Sequence, residues 1–332
     1  MSNPTGTVVV TGASAGVGRA VAIAFAQRGW NVALIARGKE GLEGARRDVE
    51  AAGGHALVLP LDVADADAVF AAADQVAAQW GHIDIWINDA MVTIFAPVKE
   101  IKPDEFRRVT EVTYLGQVYG TMAALKHMRS RNNGTIVQVG SALSYRAIPL
   151  QSAYCGAKFA IRGFTDSLRS ELEHEQSRIR LSMVQLPAVN TPQFDWARSR
   201  MPRKLQPVPP IYQPEAIASE IVRAALEAPR ELWIGRSALK AILGGMLLPL
   251  LGDRILASEG YSGQMTKELA PLDRRDNLFE PVPSDPGVHG RFDRSALRDV
   301  IGFDPFRLRA GIACALIAGV AGLVAIARSR RA

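Results

Sequence analysis

The chain has 332 residues, of which 48% are hydrophobic, and carries a formal net charge of +6. This length and composition exclude a disordered chain, because they suffice for one large or two modest folded cores. The charge does not indicate a nucleic-acid surface, because five arginines and one aspartate within the last 31 residues account for +4 of it. Two widely separated cysteines, Cys155 and Cys314, predict neither disulfides nor a zinc site and fit a reducing compartment.

Strand-like and helical segments alternate along the chain as far as residue 235. Short β-branched or apolar runs predict strands at 7–11, 31–36, 55–63, 83–88, 134–140, 180–186 and 231–235. The intervening segments predict helices at 17–29, 39–53, 65–81, 103–130, 154–173 and 214–227. Apolar strands separated by helices indicate a parallel sheet covered on both faces, so we expect an α/β fold with a doubly wound sheet.

The glycine-rich segment TGASAGVG joins the first predicted strand to the first predicted helix. Gly12, Gly16 and Gly18 would let the backbone turn sharply and let a pyrophosphate approach the amide groups at the helix N-terminus. A turn without a ligand is the alternative, but the position between a strand and a helix favours a dinucleotide site.

The ends of the second and third predicted strands bear on the choice of nucleotide. NAD sites usually place an acid after the second strand, whereas this chain has Ala36 and Arg37 there. Because a guanidinium suits bidentate contact with a phosphate, the pattern favours NADP(H) over NAD(H), with a solvated arginine as the alternative. Asp62, after the third strand, is placed to touch the adenine ring or to cap the following helix.

A serine, a tyrosine and a lysine occur together in the segment SALSYRAIPLQSAYCGAK, residues 141–158. Tyr154 and Lys158 are four residues apart, so on a helix their side chains emerge from one face. Ser141 would have to fold back beside them. A catalytic cluster and a turn followed by a helix start both explain this triplet when it is taken alone.

Together, TGASAGVG, Asp62, INDA at 87–90, Ser141 and YCGAK at 154–158 resemble the short-chain dehydrogenase/reductase family, in its TGxxxGxG subgroup. The resemblance covers about residues 5 to 235 and implies a Rossmann fold. It implies that Tyr154 is the general acid and base, that Lys158 lowers the pKa of Tyr154 and binds the nicotinamide ribose, and that Ser141 holds the substrate oxygen. The implied cofactor contacts are Gly12, Ser14, Gly16, Val17, Gly18, Arg37, Asp62, Asn88, Tyr154, Lys158 and Thr191.

Two residues depart from the family pattern. Thr113 stands where the family often has an asparagine, and a threonine cannot supply the amide geometry for a water-mediated proton relay to the lysine. Met91 replaces the glycine of the NNAG motif, where it would line the pocket or fill the core. These departures motivate an alternative function, a membrane-attached NADP-binding regulatory or scaffold protein with little turnover. The complete triplet instead favours an NADP(H)-dependent oxidoreductase acting on a ketone or secondary alcohol.

The segment 194–212 occupies the position of the family's mobile substrate lid. Its aromatic residues, together with Met91, favour an apolar substrate. Its basic residues would meet an acidic group of the substrate or would simply be solvated. The lid residues concerned are Phe194, Trp196, Arg198, Arg200, Arg203 and Lys204.

Residues beyond 235 lie outside the common family core. We expect a catalytic domain over 1–235, a helical and irregular extension over 236–306, and a hydrophobic helix over 307–332. Within the extension, 237–260 predicts an amphipathic helix that packs beside the lid or touches a membrane, and 270–295 indicates an irregular linker.

The last segment contains 18 uncharged residues, 310–327. A helix of that length spans about 27 Å, which predicts membrane contact of an otherwise cytoplasmic protein. The terminal RSRRA opposes a simple span from the cytoplasm, so a hairpin, an interfacial helix or a dimer-packed helix are the alternatives. The first strand begins almost at once, so no signal peptide is expected. By analogy with the family we expect a homodimer or homotetramer.

Overall fold

The computed structural model describes residues 6–271 and 273–307 and has an eight-stranded sheet at its centre. The strands are β1 (Thr7–Thr11), β2 (Asn31–Ala36), β3 (His55–Pro60), β4 (Ile85–Asn88), β5 (Ile94–Phe95), β6 (Gly134–Ser141), β7 (Ile179–Leu186), β8 (Ala188–Val189), β9 (Arg198–Ser199), β10 (Arg203–Leu205), β11 (Ile211–Tyr212), β12 (Glu231–Ile234), β13 (Met265–Leu269) and β14 (Gly302–Phe303). The order in the large sheet is β14-β12-β7-β6-β4-β1-β2-β3. All its neighbouring strands pair in parallel except β14, which is antiparallel to β12.

Helices cover both faces of this sheet. They are α1 (Gly16–Ala26), α2 (Lys39–Ala51), α3 (Ala66–Trp80), α4 (Pro103–Thr110), α5 (Gly116–Met128), α6 (Ser152–His174), α7 (Gln193–Trp196), α8 (Pro214–Glu227), α9 (Arg236–Leu247) and α10 (Pro249–Glu259). One core cluster joins the sheet to α1, α2 and α8, and a second joins it to α3, α5 and α6. The expected doubly wound α/β architecture is therefore confirmed.

The strand order reverses beside β1. The chain runs from β1 outward through β2 to β3 and then returns to place β4 on the other side of β1. Connections on opposite sides of the sheet diverge at such a point, which opens a crevice at the carboxyl ends of β1 and β4. The glycine-rich segment follows β1 and therefore lies at this crevice.

Two predicted helices have a different form in the structure. The single helix expected over 103–130 consists of α4 and α5, joined by a π-helical turn at Glu111–Leu115. The single amphipathic helix expected over 237–260 is divided into α9 and α10, because Pro249 starts a new helix at its first position.

The segment that follows residue 235 packs back against the first 235 residues. Its strand β14 pairs with β12 through Trp233 and Phe303, so it adds to the edge of the main sheet. Residues 270–295, which the sequence indicates as a linker, are irregular but form hydrogen bonds with residues at the carboxyl ends of the strands. Within 6–271 and 273–307 no helix combines the length and apolarity needed to cross a bilayer. The hydrophobic stretch 310–327 lies outside the described residues.

Candidate active site

A cavity of about 890 Å³ lies at the carboxyl ends of the central strands. It is bounded by the glycine-rich loop, the ends of β2, β3, β4 and β6, the start of α6, the lid and the extension. Most of the residues assigned from the sequence line this one cavity. They are Gly12, Ser14, Gly16, Val17, Arg37, Asp62, Ser141, Tyr154, Lys158 and Thr191. The volume is within the range of pockets that hold cofactors and small substrates.

The glycine-rich loop has the shape that a dinucleotide requires. Gly12 and Gly16 have positive φ angles of 75° and 53°, a region that strains residues with a side chain. A Cβ at Gly18 would lie 2.8 Å from the carbonyl carbon of Gly12, so α1 packs against the loop only because this side chain is absent. Ala15, at the N-cap of α1, offers no side-chain oxygen. The loop and helix start therefore fit a diphosphate.

Asn88 and Gly18 have different places from those expected. Asn88 is fully buried, and its amide accepts from Trp86 at 2.8 Å and donates to Gln138 and Thr121 at 3.0 Å each. This network stabilises the sheet beneath the cavity, and Asn88 is not among the residues that line the cavity. Gly18 lies behind the loop, where its role is close packing.

Arg37 and Asp62 line the cavity, but both have partners within the chain. The Arg37 guanidinium donates to the carbonyl oxygens of Asn277 at 2.5 Å and Phe279 at 2.6 Å. Burial lowers the pKa of Arg37. Asp62 accepts from the Ala64 amide at 3.0 Å and forms an ion pair with Arg108. The N-cap of α3 is Asp65 rather than Asp62, which removes the capping alternative for Asp62.

The side chains of Ser141, Tyr154 and Lys158 meet at the end of β6 and the start of α6. Ser141 is the last residue of β6 and forms a hydrogen bond with Tyr154. Its amide donates to Gln185 Oε1 at 2.9 Å, which fixes the strand end. The Lys158 ammonium lies 5.5 Å from the Tyr154 ring centroid and donates to the Val139 carbonyl oxygen at 2.6 Å. The three side chains thus converge at one wall of the cavity.

The electrostatics of the triplet differ from the expected ones. We expected Lys158 to lower the pKa of Tyr154, but burial raises it, and the hydrogen bond with Ser141 only partly offsets this effect. The phenol is therefore firmly protonated at neutral pH. Burial also lowers the pKa of Lys158 to about 8, opposed by the nearby charge of Asp89.

Asp89 is a site residue to which the sequence analysis gave no role. It directly follows β4, lines the cavity, and accepts a hydrogen bond from the Gly18 amide. Burial raises its pKa to about 6, although the Lys158 charge acts in the opposite direction. The available signal was its position, because a carboxylate directly after a central parallel strand lies at the ligand-binding edge.

The two departures from the family pattern have separate roles. Thr113 is fully buried in the π-helical turn, where its hydroxyl donates to the Val92 carbonyl at 2.8 Å and accepts from the Val92 amide at 3.1 Å. Both functions of the hydroxyl hold the segment after β4, so this side chain is a structural clamp. Met91 lines the cavity, which matches the first of the two expected roles.

The basic residues of the lid bind acids of the chain itself. Arg198 and Arg200 form ion pairs with Glu105, which is 2% exposed, at 3.0 Å and 2.7 Å. Arg198 also pairs with Asp276 at 2.9 Å. The remaining two, Arg203 and Lys204, contact the Lys267 carbonyl and Glu268. These contacts do not support either expected role, a substrate acid or plain solvation.

Comparison with known proteins agrees with this geometry. The model of the short chain dehydrogenase family matches residues 6–201. The chain is 30% identical over 328 residues to the Uncharacterized oxidoreductase YxnA of Bacillus subtilis, covering 97% of this chain and 91% of that protein. It is 32% identical over 227 residues to the fatty acyl-CoA reductase of Acinetobacter baylyi, covering 68% of this chain and 74% of the relative. The alcohol dehydrogenase of the archaeon Thermococcus sibiricus, solved with 5-hydroxy-NADP, has a TM-score of 0.59 at 28% identity, covering 69% of this chain and 95% of that chain.

Proposed function

Because the chain belongs to the short-chain dehydrogenase family and is an oxidoreductase, we propose that it reduces an apolar ketone, or oxidises the corresponding secondary alcohol, with NADP(H). The observation that carries the proposal is the convergence of Ser141, Tyr154 and Lys158 at one wall of the cavity that the glycine-rich loop also lines. A binding protein without turnover has no need of all three groups.

The protonation states favour carbonyl reduction. A protonated Tyr154 phenol can donate its proton to a carbonyl oxygen, and the raised pKa keeps it protonated at neutral pH. The Ser141 hydroxyl, on a rigid strand end, orients the same oxygen and stabilises the charge that develops on it. Bound NADPH supplies the hydride. Lys158 then stabilises the phenolate by its charge, one helical turn from the tyrosine.

The preference for NADP(H) rests on Arg37. Its guanidinium borders the cavity at the end of β2, where no carboxylate is present to hold a ribose hydroxyl. The solved relative bound to an NADP derivative supports the same cofactor. Arg37→Asp should shift the preference toward NADH, and an unchanged preference would show that Arg37 does not read the phosphate.

An apolar substrate is supported by the walls beyond Tyr154. Met91, Phe194, Trp196 and Ile255 line this part of the cavity. A relative named fatty acyl-CoA reductase also points to a long aliphatic substrate. If the wall holds such a chain, kcat/KM should rise by about fourfold for each further buried methylene, the equivalent of about 0.8 kcal/mol.

The test combines a substrate series with a tyrosine variant. Methyl ketones of increasing chain length, matched keto acids and the corresponding alcohols are assayed by NADPH absorbance. Tyr154→Phe should keep its affinity for NADPH and lose at least about 10²-fold in turnover, because the proton donor is gone. Tyr119→Phe, on α5 away from the cavity, is the matched control. Full turnover in Tyr154→Phe would refute the assignment.

We also propose that the extension contacts a membrane. Large apolar side chains on α9 and α10 are exposed, among them Leu247 at 74% and Leu250 at 77%. They adjoin helices that also line the cavity, so an apolar substrate could enter from the bilayer side. Sedimentation with anionic vesicles tests this for the full chain and for a chain ending at residue 307. Equal recovery of both forms would eliminate an anchor in 310–327.

The proposed homo-oligomer is supported by a second exposed apolar group. Phe106, Met122 and Phe159, on α4, α5 and α6, are 40%, 49% and 42% exposed. Exposed apolar residues on neighbouring helices are typical of subunit contacts. Light scattering of the parent and of Phe159→Glu tests this, and two equal masses would contradict the use of this face.

A further inference from the structure

The extension crosses the nucleotide crevice as a continuous segment, residues 277–290, which we call the strap. Its first end is bound by two arginines of the catalytic part of the chain. Arg37 donates to the carbonyls of Asn277 and Phe279, and Arg108 Nε donates to the Leu278 carbonyl at 3.1 Å. The Leu278 side chain is fully buried in the core on the α3 side of the sheet. This end of the strap is therefore fixed beside the end of β2.

Helix α2 provides a surface of glycines for the middle of the strap. Gly38, Gly41 and Gly44 are spaced three residues apart, so they lie on one side of the helix. Added Cβ atoms at the first two would lie 3.4 Å from Pro281 and 3.2 Å from Pro286. A Cβ at Gly44 would overlap the Asp285 carboxylate. The missing side chain therefore matters most for strap packing at Gly44, and to a smaller extent at Gly41.

Ion pairs also hold the middle of the strap in place. Asp285 forms ion pairs with Arg19 of α1 and, at 3.4 Å, with Arg47 of α2. Arg19 is 5% exposed, and its second partner is Asp48 at 2.8 Å. The bond with Arg19 lowers the pKa of Asp285 despite burial. A buried arginine directed at the strap makes this contact more than a surface ion pair.

The other end of the strap reaches the glycine-rich loop. The Gly16 amide, the first of α1, donates to the Gly287 carbonyl at 3.2 Å. The Gly290 amide donates to the Asn190 carbonyl at 3.2 Å, directly before Thr191. The strap thus runs from the Arg37 end of the crevice to its Thr191 end, along the path that a dinucleotide would follow.

Strap residues and the glycine-rich loop line the same cavity. Asn277, Pro281, Val282, Ser284 and Pro286 face it on the outer side. We propose that the strap is the outer wall of the dinucleotide site and encloses its adenosine half, with Arg37 acting as the anchor of this wall. This inference rests on the proposed NADP(H)-dependent function. A nucleotide held between the sheet edge and the strap can leave only after the strap detaches from α2 and Arg37.

The experiment weakens the contacts of the strap at two residues, Gly44 and Asp285, that do not line the cavity. Gly44→Ala introduces the overlap with Asp285, and Asp285→Ala removes the ion pairs with Arg19 and Arg47. Gly163→Ala is the matched control for the first, because nothing lies within 4 Å of a Cβ there. Asp166→Ala is the control for the second, because Asp166, on α6, forms a surface ion pair with Arg230 away from the strap. Thermal unfolding verifies that each variant is folded.

The readouts are the rate of NADPH release, from the fluorescence decay after chasing with excess NADP, and deuterium uptake by residues 277–290. We expect both strap variants to release NADPH at least about tenfold faster than the parent and the controls. In the parent, NADPH should slow deuterium uptake by the strap. If the variants release NADPH at the parent rate or more slowly, the strap is not the outer wall of the dinucleotide site. A parent that binds neither NADPH nor NADH would instead overturn the proposed function and the strap with it.

Discussion

The buried carboxyl of Asp89, near Lys158, leads to a prediction about stability and pH. Burial raises the pKa of Asp89 from 3.8 to about 6, which corresponds to roughly 3 kcal/mol of preference for the neutral acid in the folded state. Because the folded pKa exceeds the unfolded one, ionisation of Asp89 destabilises the fold. This loss begins near pH 4 and is complete above about pH 6.

Asp89→Asn cannot ionise and should therefore avoid this loss. The difference in free energy of unfolding between variant and parent should grow in favour of the variant, by up to roughly 3 kcal/mol between pH 4 and pH 7. The variant also removes the attraction of the Asp89 carboxylate, which raises the pKa of Lys158. Lys158 therefore loses its proton more readily in the variant and does not remain as an unpaired buried charge. Urea unfolding followed by circular dichroism at several pH values measures the difference.

Asp74→Asn is the control with the opposite sign. The hydrogen bond from Lys126 lowers the pKa of Asp74 on the surface, so its contribution is present above the unfolded pKa and is lost as pH falls. Replacing Asp74 should slightly lower the free energy of unfolding at neutral pH and leave it unchanged in acid. An Asp89→Asn difference that stays constant or shrinks from pH 4 to pH 7 would refute the reasoning.

Three further predictions concern binding and the lid. Gly18→Ala should weaken NADPH binding at least about tenfold by fluorescence titration, because its Cβ displaces the loop at Gly12. NADPH affinity of the parent should fall as pH rises through about 8, where Lys158 loses its charge, and Lys158→Met should show a flat profile. Glu105→Gln should lower the free energy of unfolding by roughly 3 kcal/mol and raise KM, because Arg198 and Arg200 of the lid lose a buried partner.

The central sheet was predictable because each parallel strand is a short apolar run between helices. The predicted helix 214–227 has the same bounds as α8, since Pro214 fixes its start. The π-helical turn was not predictable, because it is stabilised by Thr113 and Val92, which lie 21 residues apart. Two-residue strands such as β5 and β9 likewise exist only because the lid packs on the chain after β4.

The site was predictable to the extent that it follows the strand ends. Ser141, Tyr154 and Lys158 meet as expected because one strand end and one helix start carry them. The pKa of Tyr154 could not be predicted, because burial, which a sequence does not reveal, is the largest effect on it. The partners of Arg37 could not be predicted either, since they lie about 240 residues further along the chain.

The lid and the strap are held by one short segment of the extension. Asp276 pairs with Arg198 of the lid, and the next residue, Asn277, both donates to the Trp196 carbonyl and accepts from Arg37. A displacement of this segment large enough to free Arg37 also removes Asp276 from the lid. Coupling through contacts needs such an element with partners on both sides. Under the proposed function, opening of the strap should therefore also loosen the lid, so that release of nucleotide and release of product would share one structural step.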